Sequence, residues 1–259
     1  MGTTSQLILA VPPNEVTAAQ PYGLTLAHVA YRVGGGPHLF RSNLPIPVRG
    51  GLMYIDDSGF DGRGTPDGFC QEVVRECSAR GFGGVVCAFE RSLPLLSAIV
   101  SPLGPMLARQ NRSFYVSEPY GRHSGTGRVL ISTALSGGSL RQRLAEAVER
   151  YGAGRVALAV ERTAEDFFLP SPNGQGRPLS QSELTSKLEE LSPSIFFSDE
   201  LCARYFTYMN RQSGAHFVLF DDAGSIRKKL RLAEALGIRR ALLFFPEVSD
   251  LLPELLAQA

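Results

Sequence analysis

Gly81-Phe82-Gly83-Gly84-Val85-Val86-Cys87-Ala88-Phe89-Glu90 reads as a buried strand that ends in a single carboxylate. Its apolar run does not alternate with polar residues, which is the pattern of a parallel strand covered on both faces. The C-terminal end of such a strand is where barrel enzymes place their catalytic acid. The stretch carries no other charge, so Glu90 is the first candidate for a functional group.

Outward from this segment, runs of the same kind recur. Strands are expected at Gln6–Val11, Leu24–Val33, Gly51–Asp56, Gly84–Phe89, Ser113–Ser117, Arg128–Thr133, Arg155–Val160 and Ala241–Phe245. Helical periodicity falls between many of them, at Pro66–Arg80, Leu93–Gln110, Ser139–Tyr151 and Ser225–Leu236. In the last, Ile226, Leu230, Ala233 and Leu236 form a stripe, with Arg227, Lys228 and Arg231 facing away. Eight strands with interleaved helices in 259 residues predict an α/β fold, a (β/α)8 TIM barrel, as one domain spanning 1–259.

Two irregularities are expected. The Pro12–Gly23 link is too short for a full crossover helix. An insertion at roughly 170–220 precedes the last strand. In it, Tyr205–Met209 and His216–Phe220 flank Asn210-Arg211-Gln212-Ser213-Gly214 as a β-hairpin. Gly34-Gly35-Gly36 leads into Pro37-His38, not a helix start, so it is a loop and not a nucleotide cradle.

Composition narrows the function. A net charge of +1 provides no field to gather phosphates, which argues against nucleic acid. Cys70, Cys77, Cys87 and Cys202 lack metal-ligand spacing and read as reduced core residues, and the four histidines are scattered; neither a metal nor a cofactor is expected. No apolar run is long enough to span a bilayer and no leader opens the chain, so a cytoplasmic protein is expected; association with a wall or spore remains compatible with that.

Two segments resemble the family 18 glycoside hydrolases, the chitinases and their spore-wall relatives. One is Tyr205-Phe206-Thr207-Tyr208 with His216–Lys229 and Gly237-Ile238, similar to the family's hairpin and its passage into the last barrel strand. The other is Gly81–Glu90, which aligns with the family's strand-four signature of spaced aspartates ending in glutamate. The resemblance implies a barrel, a ligand of N-acetylglucosamine or cell-wall glycan type, such as a peptidoglycan fragment, and Glu90 as the group that protonates the glycosidic oxygen.

The departures lie where the chemistry lies. Gly83, Val86 and Ala88 stand at the three aspartate positions, and Ile131-Ser132-Thr133-Ala134-Leu135 replaces the family's sixth-strand tyrosine and aspartate. Family members orient the substrate's own acetamido group as nucleophile through the aspartate two residues before the acid, and Ala88 cannot do this. The chain has no tryptophan, so Phe244 or Phe245 is expected to floor the sugar site. Losses of this kind cost about 10²-fold each. A degenerate, non-hydrolytic glycan site is therefore the favoured reading.

Two alternatives stand beside it. The first is an active glycoside hydrolase using Glu90, with Glu161 after strand seven if their carboxyls lie about 5–5.5 Å apart. The second is a structural or partner-binding barrel with no sugar site. Other candidate contacts are Glu118, Tyr120 and His123 after strand five, Asp56 at the end of strand three, and Phe245. Asp56-Asp57-Ser58-Gly59 equally makes a capped turn. Asp221 and Asp222 are expected to cap a helix, Glu165-Asp166-Phe167-Phe168 to form a loop at the groove, and His28 to be a core residue.

Overall fold

The computed structural model describes residues 6–44, 48–171, 174–211 and 214–257. Eight parallel strands close into a barrel: β1 (Gln6–Val11), β2 (Thr25–Val33), β3 (Leu52–Asp56), β4 (Gly84–Ala88), β5 (Ser113–Ser117), β6 (Arg128–Ser132), β7 (Val156–Val160) and β8 (Arg240–Phe244). Closure is direct, because β1 pairs with both β8 and β2. Every expected strand is present, with ends shifted by a residue at most. Apolar residues cover both faces, as the unalternating runs require. Ile8, Leu52, Val86, Tyr115, Leu130 and Leu242 fill the interior, while Leu9, Val85, Val116 and Leu243 pack outward against helices.

The strongest helices are α1 (Phe69–Arg80), α2 (Pro94–Ala108), α3 (Leu140–Tyr151), α4 (Gln181–Leu191) and α5 (Ala223–Ala235). Among the described residues, three crossovers lack a full helix. The link from β1 to β2 holds one turn, Val16–Ala19, between two 3-10 turns. The link from β2 to β3 carries strand Leu39–Arg41, antiparallel to β2. The link from β5 to β6 has only the 3-10 turn Glu118–Tyr120 before a loop. Gly84 illustrates how tight the wall is, since a Cβ there would collide with the Ser113 carbonyl of β5.

Between β7 and α5 the chain builds a second, antiparallel sheet. Its central strands are Ala164–Leu169, Ala203–Asn210 and Gly214–Phe220. The hairpin is therefore present, and Gln212 and Ser213 of its turn lie outside the described residues. The sheet begins at Ala164, upstream of Pro170, so Glu165–Phe168 form a strand and not a loop. The helix α4 covers one face through Leu184 and Leu188, packed on Phe206, Val218 and Phe220.

The insertion is fastened where it leaves and rejoins the barrel. Asp221 donates its backbone N–H to the Thr163 carbonyl (2.8 Å) and accepts the Thr163 N–H on its carboxylate (2.9 Å). The same carboxylate takes the Ser225 hydroxyl at 2.6 Å and the Lys229 ammonium at 2.6 Å. Asp222 caps α5 as expected, accepting from Ser225 N at 2.8 Å, but Asp221 is a buried ion-pair partner and not a cap. All four cysteines are free and buried. Among the described residues, no helix is long and apolar enough to cross a membrane.

Candidate functional site at the barrel mouth

Two adjoining cavities open at the C-terminal ends of the strands. The larger, of about 700 Å³, is lined by Tyr54, Glu90, Glu161, Arg162, Phe244 and Glu247, with Glu165 and Leu179 from the insertion. The smaller, of about 390 Å³, shares Tyr54, Glu90 and Glu161 and adds Ala88, Ser117 and Glu118. Both volumes fall within the range of small-ligand sites. Alternation along the strands explains the set: on β4, Val86, Ala88 and Glu90 point inward, and on β7, Ala157, Ala159 and Glu161 do the same.

The segment carrying Glu90 is held by Asp57, which is 3% exposed. Its carboxylate accepts the backbone N–H of Glu90 (3.0 Å) and of Arg91 (3.2 Å) and the Arg91 Nε–H (3.1 Å). Tyr120 secures the same segment from the other side. Its hydroxyl donates to the Arg91 carbonyl and accepts the Leu93 N–H at 3.1 Å. Its ring meets Phe89 edge-on at 5.7 Å.

Glu90 and Glu161 share both cavities, as sequence position suggests. Glu118 lines the smaller one, with its carboxylate paired to Arg143 of α3 at 2.7 Å. Asp56 accepts the Ser58 N–H at 2.8 Å and the Ser58 hydroxyl, forming the turn, and lines a neighbouring hollow with Arg32 and Arg41.

Three other candidates are placed elsewhere. Tyr120 is buried behind Glu90 as a positioning residue. Phe245 packs outward in the first turn of a short helix, 6.2 Å from Tyr22, and Phe244 is the aromatic in the mouth. His123 is exposed on the loop to β6, a strap whose Gly121, Ser124 and Gly127 carbonyls are held by Arg155 below β7. It lines neither cavity of the mouth.

Residues that sequence reasoning passed over complete the site. Tyr54 rises from β3, and burial together with the charges of Asp56, Glu90, Glu161 and Glu247 pushes its phenol well above the ordinary value. It is a neutral hydrogen-bond donor at any physiological pH. Burial also raises the carboxyls of Glu247 and Glu165; for Glu247 the Arg162 N–H opposes the shift and the Glu161 charge adds to it. Strand parity at positions 52, 54 and 56 could have found Tyr54, whereas Glu247 follows β8 in a helical turn that no alternation predicts.

The raised Glu165 carboxyl carries a stability consequence. Folding penalises its charged form, so its contribution is full below the ordinary Glu range and is lost as pH rises through the folded value. Glu165→Gln is expected to raise the melting temperature at pH 7 and to leave it unchanged at pH 4. Calorimetry at the two pH values checks this; equal shifts at both would contradict a proton-linked origin.

The comparisons fix the fold. The chain is similar to the spore cortex-lytic enzyme SleL of Bacillus megaterium, at 16% identity and a TM-score of 0.70, over 98% of this chain and 74% of that one. It is similar to a chitinase from Chromobacterium violaceum at 15% identity and 0.70, over 98% and 100%. A family 18 chitinase of Cycas revoluta, solved with (GlcNAc)3, matches at 13% and 0.67, over 97% and 98%. At these identities the likeness is one of fold: a (β/α)8 barrel. No family model matches the sequence, and no curated protein does. The likeness resides in the backbone, while the residues of the mouth are this chain's own.

Proposed function

We propose that the family-18-like barrel binds a glycan across its mouth and does not hydrolyse it by the substrate-assisted route. One observation carries the reading: Glu90 faces a ligand-sized cavity floored by Tyr54 and Phe244, yet Ala88 occupies the inward position next below it on the same face. A methyl group there cannot hold an acetamido group against the anomeric carbon, so the acid has no oriented nucleophile to work with. The (GlcNAc)3 bound by the Cycas chitinase supports an amino-sugar oligomer as the ligand class.

A second reading rests on a separate observation. Glu90 and Glu161 line the same two cavities from β4 and β7, three strands apart round the barrel, so two carboxyl groups face one space, as a two-carboxylate hydrolysis requires. One experiment separates the two. Oligosaccharide binding is measured by titration calorimetry, and reducing ends are counted after incubation with N-acetylglucosamine oligomers and peptidoglycan. The binding reading expects heat of binding with no reducing ends above those of Glu90→Gln. Release that Glu90→Gln abolishes would establish the hydrolase instead.

A further inference from the structure

A hollow of about 540 Å³ lies on the β2–β3 side of the rim and shares no lining residue with the two acidic cavities. Its floor is a row of three side chains from three neighbouring strands. Arg32 of β2 is the register partner of Phe40, in the strand Leu39–Arg41, on one side and of Asp56 of β3 on the other. Register partners project from the same face of a sheet, so Phe40, Arg32 and Asp56 stand side by side, and all three line the hollow. Asp56 lies two residues beyond Tyr54 on β3, which puts the row on the inward face of the wall, next to the mouth.

The row is not closed on itself. The Asp56 carboxylate is engaged by the Ser58 N–H at 2.8 Å and by the Ser58 hydroxyl. Among the described residues, no ion pair and no side-chain hydrogen bond reaches Arg32, although that carboxylate is one strand away. Phe40 is 48% exposed and yet seated, because its ring rests against Gly34, where a Cβ would collide with it. Arg41 adds a second guanidinium to the lining, and its ion pair with Glu76 is long, at 3.7 Å. Two cations therefore face one carboxylate here, the reverse of the larger cavity, where Arg162 is the cation among four glutamates.

The chemistry describes an occupant with two parts. The exposed ring of Phe40 offers an apolar surface to a pyranose, and the fork of an open guanidinium matches a carboxylate. A singly charged group is also repelled less by Asp56 than a phosphate dianion is. We propose that this hollow is a subsite for an acidic sugar: an oligosaccharide lying across the mouth sets a carboxylate-bearing residue on Phe40 and Arg32. The glutamates at the other end repel the same substituent, so the ligand lies in one orientation. The inference rests on the mouth being a glycan site and names the substituent it selects. Lactyl-ether sugars and uronic acids both carry such a group.

Titration calorimetry on the intact chain compares three tetrasaccharides. One alternates N-acetylglucosamine with N-acetylmuramic acid, the second is the same chain with its lactyl carboxyls methyl-esterified, and the third is an oligogalacturonate. The free lactyl acid is expected to bind about fivefold tighter than its ester in low salt, the gain of one solvent-exposed ion pair, and the gap closes in high salt. Arg32→Gln is expected to bring acid and ester to within about twofold of each other. Arg32→Lys should keep part of the gap, since it keeps the charge and loses the fork. Phe40→Ala is expected to weaken acid and ester alike. A uronate that binds as tightly as the lactyl acid would show that the subsite reads the carboxylate alone, and one that does not bind would assign it to the lactyl ether. Equal affinity for acid and ester, or a gap that Arg32→Gln leaves intact, would overturn the subsite while the glycan reading stands. Binding of none of the three would remove the glycan reading itself.

Discussion

Replacing Asp221 with alanine is expected to destabilise the protein by about 3–5 kcal/mol, because it strands a buried ammonium. The Asp221 and Lys229 side chains are 0% and 1% exposed, and their atoms meet at 2.6 Å. The carboxylate also accepts the Thr163 N–H and the Ser225 hydroxyl; the hydroxyl can turn to the Asp222 carbonyl at 2.9 Å, so alanine leaves two donors, the Lys229 ammonium and the Thr163 N–H, unsatisfied in the interior. A loss of this size is a large fraction of the total stability of a typical domain. The double replacement Asp221→Leu with Lys229→Met removes both charges and is expected to recover much of it, since the desolvation of an ion pair is itself costly. Urea unfolding of the wild type and the two variants measures how much of the loss is recovered. A single variant that loses less than about 1 kcal/mol would show that the pair is not closed off from water.

Asp57→Ala is expected to cost about 2–4 kcal/mol, from two backbone N–H groups and the Arg91 Nε–H left without an acceptor. Its effect at the mouth is the more telling. Asp57 fixes the chain that carries Glu90, so glycan affinity should fall even at temperatures where the variant is fully folded. Asp57→Asn keeps one acceptor oxygen and should lie between. The measurements are chemical unfolding and oligosaccharide titration on the same samples. Lost stability with undiminished affinity would mean that Glu90 takes no part in binding. Undiminished stability would contradict the hydrogen-bond account.

What could be read from the chain follows from how far each signal reaches. The strands were legible because a parallel barrel buries both faces, so Gly84–Ala88 and Val156–Val160 announce themselves as unbroken apolar runs. Glu90 and Glu161 were legible because they continue the two-residue alternation past a strand end. That signal fades once the chain leaves the strand. Tyr120 sits in a 3-10 turn, where its direction is set by the Arg91 carbonyl and Leu93 amide contributed by another loop. Phe244 and Phe245 are adjacent, and only the register of β8 decides which of them faces the sugar-sized hollow. His123 was misplaced for a different reason. The β5–β6 crossover runs down the outer wall as a strap, and Arg155 holds it there through contacts distant in sequence. Asp221 looked like a cap because it neighbours one; its partner Lys229 lies two turns along α5 on the buried side.

The knot tying Thr163 to Asp221 also bears on how such a molecule diversifies. Both ends of the long excursion leave the cylinder through a single gate, so lengthening, trimming or exchanging what hangs beyond it need not disturb the staves. Glu165 rides on that appended piece, whereas Glu90 belongs to the staves themselves. The side chains of the excursion and those of the staves are thus written on separately editable stretches of gene, and a lineage can rewrite one while inheriting the other.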